Sequence, residues 1–424
     1  MIKEIINKVK CTKEIEDTIY LYVLQIVDKL TPLVVIPYLM VTLGAEKYGY
    51  IGFATAIVNY LLLIVEFGFN LSATKRVAVA KEQGKQELSE VFFSTVLAKV
   101  LLLIVATVVI LPIVLIIPSF KVYFNTILCT YPLVLGATLN ISWFYQGIGK
   151  IRIAAIVISL CKILILPLVF IFVITPSDYN WAAFIQSSVY FFSSVVTVVL
   201  LYKMHLIVRV KISLQNVISS IKDSYPLFLS SVATSVYTQL FTLILGLVST
   251  PAVVGKYSAA ERIMRSICFA IYSPISQAFY PKISSLSYTN KKKAKMVFHK
   301  LVVFMFVLML LLSLILCIFA RPIVTLLGED YLGLETLLQI ISFVPIAIAL
   351  GAIYGQMGLI AMGNQRSKSE FRKVYFMAAP FSLFIVTILA FLYSDVGAAI
   401  SLLITEYFVF FFMLRSYKKL SICY

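Results

Sequence analysis

Residues 301–320, LVVFMFVLMLLLSLILCIFA, form an apolar run of 20 residues in which Ser313 is the only polar side chain. A helix rises about 1.5 Å per residue, so about 20 apolar residues cross the roughly 30 Å hydrocarbon core of a bilayer. Comparable runs recur along the whole chain of 424 residues, which is 61% hydrophobic and 13% charged, with a mean hydropathy of +0.99. Because lipid leaves backbone polar groups no other partners, such runs predict helices. The sequence therefore predicts an all-α polytopic membrane protein.

Twelve segments of this kind are predicted to cross the membrane. They are residues 17–41, 48–71, 91–117, 120–142, 151–174, 181–203, 225–248, 253–280, 298–320, 336–362, 374–393 and 396–415. The longest polar connection separates the first six from the last six, and an even number in each half gives both halves the same orientation. The predicted divisions are an N-terminal segment 1–16, a first six-helix lobe 17–203, an inter-lobe linker 204–224, a second six-helix lobe 225–415 and a tail 416–424.

A short motif occurs at matching places in the two halves. Gly49-Tyr-Ile-Gly-Phe-Ala54 and Gly255-Lys-Tyr-Ser-Ala-Ala260 each stand near the start of a predicted span that leads into a basic loop. Such an echo indicates two parallel repeats, related by a pseudo-twofold axis along the membrane normal.

The distribution of positive charge predicts the orientation of the chain. It carries 36 Lys and Arg against 19 Asp and Glu, for a net charge of +17. Most of the cations lie in alternate loops on the side of the N-terminus, in clusters at residues 75–85, 291–295 and 366–373. The positive-inside rule therefore predicts a bacterial inner-membrane protein with both termini in the cytoplasm. Topology accounts for the charge without nucleic acid, although the clusters could also bind a partner or lipid phosphate.

No motif for a cofactor, a metal or a catalytic centre is present. The six cysteines form no CxxC pair, and the two histidines, His205 and His299, lie in basic stretches. The patterns HExxH, GxxxxGKS/T and GxSxG are absent. The outer loops are short and leave little room for the catalytic domain of a polymerase or glycosyltransferase. We therefore expect a transporter that binds no cofactor or metal.

Charged residues inside the predicted spans are the candidate functional residues. Inserting an ionised side chain at the bilayer centre costs about 2.5–3.5 kcal/mol, so each needs a partner or a water-filled cavity. The residues considered are Asp28, Lys29, Glu66, Lys99, Lys162, Glu261, Arg262, Arg265 and Glu406. Glu261 and Arg265 are one helical turn apart with the acid first, which favours an ion pair between them. Arg262 is then left without a predicted partner on the same helix. The structural alternative is interhelical ion pairs, or long side chains that reach the membrane surface.

Four stretches carry a resemblance to a known family. PYLMVTLGAEKYGYIGFATAI (37–57), EFGFNLSATKRVAVAK (66–81), WFYQGIGKIR (143–152) and VVGKYSAAERIMRSI (253–267) resemble the O-antigen flippases of the polysaccharide transporter family. That family belongs to the superfamily of multidrug, oligosaccharidyl-lipid and polysaccharide exporters. The resemblance implies movement of an undecaprenyl-diphosphate-linked oligosaccharide unit from the cytoplasmic to the periplasmic leaflet, by alternating access of two lobes.

The resemblance also suggests roles for individual residues. A central cationic cavity would bind the diphosphate, and its predicted residues are Lys29, Lys99, Lys162, Arg262 and Arg265. Asp28, Glu66 and Glu261 are candidate coupling or ion-pair acids. Trp143, Tyr145 and Gln146 are candidates for contacts with sugar rings or with the membrane interface, where an interfacial role for Trp143 is slightly favoured.

The implied partners are the lipid-linked substrate and the bilayer, with an O-antigen polymerase and a chain-length regulator as further candidates. Two other classes of protein remain as alternatives. The first is a drug or cation exporter of the same superfamily, and the second is a polytopic polymerase or glycosyltransferase.

Overall fold

The computed structural model describes residues 13–421, with side chains described from residue 31 onward except at positions 165, 166, 226, 230, 231, 233–237, 288, 365 and 421. Most of the predicted segment 1–16 therefore lies outside the described residues. The main helices are α1 Lys13–Glu66, α2 Phe69–Gln83, α3 Lys85–Ile116, α4 Phe124–Thr130, α5 Pro132–Leu139, α6 Ser142–Gly147, α7 Ile151–Phe172, α8 Tyr179–Lys203, α9 Leu214–Val248, α10 Pro251–Thr289, α11 Lys291–Ile318, α12 Leu334–Ile341, α13 Val344–Ala352 and α14 Gln365–Ser421. Short helices occupy Pro118–Lys121 and Ala320–Leu327, and a π-helix, Ile353–Ala361, follows α13. No strand occurs in this part of the chain, which confirms the all-α prediction.

Two of the long helices are broken where the sequence predicts a short loop between spans. Helix α1 is interrupted at Gly44, which has a φ of 69°, and α14 at Ser394, which has a φ of 54°. The predicted span ends at 41 and 48, and at 393 and 396, bracket these breaks. With α1 and α14 each counted as two passages, the described helices form about twelve, in agreement with the prediction.

Most of these helices are apolar enough to cross a bilayer. Eight of them, within the described residues, have the length and composition of a membrane span. Helix α10 is not among the eight, and Lys256, Glu261, Arg262, Arg265 and Lys282 all lie within it. A polar helix at this depth needs protein or water around it rather than lipid.

Helical structure begins within the predicted inter-lobe linker, residues 204–224. Helix α9 begins at Leu214 rather than at residue 225, because the Ser213 hydroxyl caps it by accepting a hydrogen bond from the Gln215 nitrogen at 3.2 Å. The first turns of α9 have a polar face, with Ser220 and Ser224 bonded to the first lobe. Helix α14 likewise continues to Ser421, beyond the predicted span end at 415.

Helices α9 and α10 join the two lobes. Helix α10 packs along α1, and α9 contacts α1, α2 and α3 of the first lobe as well as α14 of the second. Successive helices cross in alternate directions, so alternate loops lie on the same side of the protein. One side carries the loops at residues 84, 148–150, 204–213, 290 and 363–364, and it is named the basic side. Lipid-facing positions on α3, α7 and α11 expose large apolar side chains such as Val108, Ile171 and Val303.

Candidate transport cavity

A cavity of about 380 Å³ lies within the first lobe, and it is named the first-lobe cavity. Its wall is built from the second half of α1 and from α4, α5, α7 and α8, with Arg262 of α10 reaching in from the second lobe. Uncharged polar side chains line much of it: Thr55, Asn59, Asn140, Gln186, Ser187, Ser193, Ser194 and Thr197. Hydroxyl and amide groups both donate and accept hydrogen bonds, so this wall suits a hydroxylated compound.

Arg262 contributes positive charge to the cavity wall. Its guanidinium carbon lies 5.6 Å from the centre of the Tyr48 ring, and Tyr48 is fully buried. A cation over an aromatic face is held electrostatically without being neutralised. No carboxylate of the described residues lies within ion-pair distance of Arg262. The guanidinium is therefore free to pair with an anion that enters the cavity.

Lys99 lies behind the same wall. Only 1% of it is exposed, and its ammonium donates to the carbonyl oxygens of Ala137 at 2.7 Å and Asn140 at 3.2 Å. Helix α5 ends at Leu139, so these carbonyls lie at its C-terminal end, where their other donors are the Asn140 nitrogen and the Trp143 indole N–H. Lys99 caps this helix end, while Glu66 lines the cavity itself.

Lys162 and Arg265 have other surroundings. The Lys162 ammonium lies 5.5 Å from the centre of the Tyr190 ring, which is part of the cavity wall. Arg265 pairs with Glu261 at 2.8 Å, which confirms the predicted pair, and its guanidinium also lies 3.9 Å from Glu406. This three-residue cluster joins α10 to α14 in the second lobe. Neither Lys162 nor Arg265 is part of the first-lobe cavity wall.

The predicted cations therefore do not all converge on one cavity. Of the four whose side chains are described, Arg262 lines it, Lys99 lies directly behind it, Lys162 stacks on a wall residue, and Arg265 belongs to the second lobe. The side chains of Asp28 and Lys29, within α1, lie outside the described residues.

The aromatic residues predicted to meet sugars are mostly enclosed. Trp143 is 1% exposed and donates its indole N–H to the Asn140 carbonyl at 3.0 Å. Tyr145 is fully buried, and its hydroxyl donates to the Thr197 carbonyl at 2.9 Å. Both pack in an apolar core with Phe92 and Phe144, and neither lines the first-lobe cavity. Gln146 alone of the three is exposed.

The uncharged polar wall is the part of the site that was not predicted from the sequence. Its signal is the run QSSVYFFSSVVT at residues 186–197, four of whose serines and threonines line the cavity. Hydroxyls in membrane helices commonly bond within their own helix, as Ser193 does to the Tyr190 carbonyl, so they give no clear pattern. A further bond, from Asn59 to Gln239 at 3.1 Å, links α1 to α9.

Two lobes of membrane-crossing helices, one of them containing a cavity with hydroxyl, amide and charged side chains in its wall, define this protein as a multi-pass membrane transporter. A sequence profile of the family described as "Polysaccharide biosynthesis protein" matches residues 15–287. A protein of Escherichia coli named as an O-antigen transporter is 33% identical over 410 residues, which cover 96% of this chain and 98% of that protein. The chain belongs to this family of polysaccharide biosynthesis proteins.

Solved structures of other transporters have the same fold. The lipid II flippase MurJ in an inward closed conformation superposes with a TM-score of 0.72 at 14% identity, covering 95% of this chain and 90% of that one. A multidrug resistance transporter of the MATE family and the MOP superfamily, in an inward-facing conformation, gives a TM-score of 0.69 at 15% identity, covering 93% and 95%. At these identities the likeness establishes the two-lobed fold.

Proposed function

We propose that this transporter moves an O-antigen repeat unit, linked to undecaprenyl diphosphate, from the cytoplasmic to the periplasmic leaflet of the inner membrane. The observation that carries the proposal is Arg262, a cation on the wall of the first-lobe cavity with no carboxylate partner among the described residues. A guanidinium pairs strongly with phosphate oxygens through charge-assisted hydrogen bonds. The naming of the Escherichia coli relative as an O-antigen transporter supports the same substrate class.

Each part of the substrate has a chemically matched environment. The diphosphate would pair with Arg262, while the hydroxyl and amide side chains of the first-lobe cavity would bond to sugar hydroxyls. The polyprenyl chain would stay in the bilayer, since it gains nothing by leaving lipid. Rocking of the two lobes about α9 and α10 would then expose the cavity to each side in turn. Lys29 is proposed as a further cation on this path, Lys99 as a cation behind its wall, and Asp28 or Glu66 as a coupling acid.

The charge of the cavity disfavours the rival cation exporter. An organic cation requires carboxylates or an excess of aromatic faces, and Glu66 is the one acid among the described wall residues. Arg262 in the wall and Lys99 behind it would repel such a substrate. The rival would be supported instead if the purified protein transported organic cations in vesicles and the Arg262→Ala variant transported them faster.

The orientation is part of the proposal, with the basic side in the cytoplasm. An O-antigen polymerase and a chain-length regulator are the proposed partners on the periplasmic side. Reporter fusions after residues 176 and 290 should report opposite sides of the membrane, with 290 cytoplasmic. The same side for both would contradict the arrangement of passages on which the proposal rests.

Complementation tests the function directly. A strain that lacks its own O-unit flippase, and makes the matching glycan, should recover surface polysaccharide when this protein is expressed. Arg262→Ala should lower surface polysaccharide about tenfold or more at equal protein level, since a charged hydrogen bond contributes about 1.5–3 kcal/mol. The control is Lys256→Ala, which removes another cation from the same helix. The Lys256 ammonium donates a hydrogen bond to the Leu332 carbonyl and lies outside the cavity. Full complementation by Arg262→Ala would remove the basis of the proposal.

A further inference from the structure

A second cavity, of about 500 Å³, opens on the basic side of the second lobe, and it is named the lysine pocket. It lies between the end of α10, the start of α11, the π-helix Ile353–Ala361 and both ends of α14. Lys291, Lys292 and Lys295 stand in its wall, and no described wall residue carries a carboxylate. The lysine pocket shares no wall residue with the first-lobe cavity, so it is a separate site.

Several features of the pocket favour an anion. Lys292 and Lys295 have no carboxylate within ion-pair distance among the described residues. Two helices begin at the pocket, α11 after Asn290 and α14 after Asn364. Each asparagine side chain accepts a hydrogen bond from one backbone N–H of its helix, that of Lys293 or Ser367, and the positive end of each helix dipole lies at the pocket.

An enclosed hydroxyl is the observation that points to a ligand. Tyr417 lines the lysine pocket and is 7% exposed, yet its hydroxyl has no hydrogen-bond partner among the described residues. The ring is fixed against the π-helix, where a β-carbon added to Gly358 would stand 2.8 Å from its Cδ2 atom. A buried donor normally has a partner, so the hydroxyl is available to a group that enters the pocket.

The remaining wall indicates where the anion comes from. Leu359, Met362 and Leu420 give the pocket an apolar part, and the pocket lies at the ends of membrane-crossing helices. A soluble phosphate has no apolar group that could contact this wall, whereas a phospholipid presents both a phosphate and acyl chains at this depth. We propose that the lysine pocket binds the phosphate headgroup of an anionic phospholipid from the leaflet on the basic side.

Binding there would connect three elements of the second lobe. The phosphate would pair with lysines of α11, while the Tyr417 hydroxyl of α14 donates to it beside the π-helix. π-Helices are rare and frequently occur at functional sites. An occupied pocket would hold the π-helix against α11 and α14, so anionic lipid would stabilise this packing of the second lobe.

Thermal unfolding of the purified full-length protein in detergent tests the proposal. Phosphatidylglycerol should raise Tm in a saturable manner, and phosphatidylcholine should not. Lys292→Ala with Lys295→Ala should raise the apparent Kd for phosphatidylglycerol about tenfold or more. The matched control, Lys293→Ala with Lys300→Ala, removes the same charge from the same helix at exposed positions outside the pocket wall and should keep the wild-type Kd. Tyr417→Phe keeps the ring and should also weaken binding, by a smaller factor.

Each other outcome would overturn the proposal. Equal weakening in the two lysine double variants would assign the effect to surface charge in general. A full Tm shift from inorganic phosphate or glycerol phosphate without lipid would make the pocket a site for soluble phosphates. The absence of any preference for phosphatidylglycerol in the wild-type protein would remove the ligand altogether. Because binding is measured without transport, failure here would leave the proposed function untouched.

Discussion

Gly49 and Gly255 lie back to back where α1 crosses α10. A β-carbon on Gly49 would stand 2.8 Å from the Gly255 nitrogen and would overlap the Pro251 carbonyl, and one on Gly255 would overlap the carbonyl of Ala45. These glycines begin the two copies of the sequence echo, so repeat-related positions meet each other at this crossing. Small residues let two membrane helices approach backbone to backbone. The two lobes are thus joined tightly on the side opposite the basic side.

Alanine at either glycine should therefore disturb the joint between the lobes. Gly49→Ala and Gly255→Ala each force backbone atoms apart, and overpacking of this kind costs about 1–3 kcal/mol, more than the roughly 0.5–1 kcal/mol that alanine gains in a helix. We expect a lower Tm in detergent and reduced surface polysaccharide. Gly351→Ala is the control, because its added methyl group would only reach ordinary contact distance, 3.4 Å, from Phe410. Wild-type Tm and export in both test variants would show that the crossing is not tight.

Arg76 and Lys75 are neighbours in one basic cluster, yet the structure gives them different roles. The Arg76 guanidinium donates to Ser220 and Thr95, each at 2.7 Å, and lies 4.0 Å from the Asp223 carboxylate. It therefore ties α2 to α3 and α9, whereas Lys75 is exposed.

Replacing these two cations separately should give unequal results. Arg76→Ala should lower the free energy of unfolding by about 2–4 kcal/mol, since two charge-assisted hydrogen bonds are lost. Lys75→Ala should change it by less than about 0.5 kcal/mol, as surface substitutions usually do. Thermal unfolding of the two variants in the same detergent is the measurement. Equal, small effects would mean that the cluster serves orientation alone.

The sequence predicts those features of this protein that depend on neighbours along the chain. The breaks at Gly44 and Ser394 fall between predicted spans, because a membrane helix cannot run longer than the bilayer allows without turning back. The Glu261–Arg265 pair follows from helical spacing alone. A one-dimensional pattern contains both kinds of information, so the helix count and this ion pair were predictable.

Features that depend on which helices meet could not be predicted in this way. The first turns of α9 have a polar face, and its Ser220 and Ser224 hydroxyls form hydrogen bonds with Arg76 and Ser72 of α2. Trp143 has an apolar ring and a polar N–H, a combination typical of the membrane interface. In the structure its indole N–H donates to the Asn140 carbonyl, and its ring packs in an apolar core. Lys99 is one of several cations at similar depth, and only the folded chain shows that it reaches the end of α5.

Lys99 should accordingly contribute to stability through the end of α5. Lys99→Met removes the ammonium from the Ala137 and Asn140 carbonyls, which keep only the Asn140 nitrogen and the Trp143 indole N–H as donors, and a hydrogen bond to a charged group contributes about 1.5–3 kcal/mol. We expect a lower Tm, and Lys150→Met, at an exposed position, is the control. An unchanged Tm would show that the cost of burying the ammonium offsets its two hydrogen bonds.

Arg265 and Arg262 lie on the same helix, but their removal should have different effects. Loss of Arg265 should lower Tm, whereas loss of Arg262 should lower export. Arg265 neutralises Glu261 at 2.8 Å and lies 3.9 Å from Glu406, so Arg265→Ala leaves two carboxylates together with no cation between them. Breaking such a pair typically costs about 3–5 kcal/mol. Arg262 has no carboxylate partner among the described residues, so Arg262→Ala should leave Tm nearly unchanged while export falls.

The companion variant separates lost charge balance from lost packing. Arg265→Met combined with Glu261→Gln and Glu406→Gln removes all three charges and keeps most of the side-chain volume, so at least half of the lost Tm should return. Monodisperse yield and thermal unfolding, measured for all three proteins beside surface polysaccharide, provide the comparison. If Arg265→Ala unfolds no earlier than Arg262→Ala, the second-lobe cluster is not structural, and Arg265 returns to the set of residues that could contact the substrate.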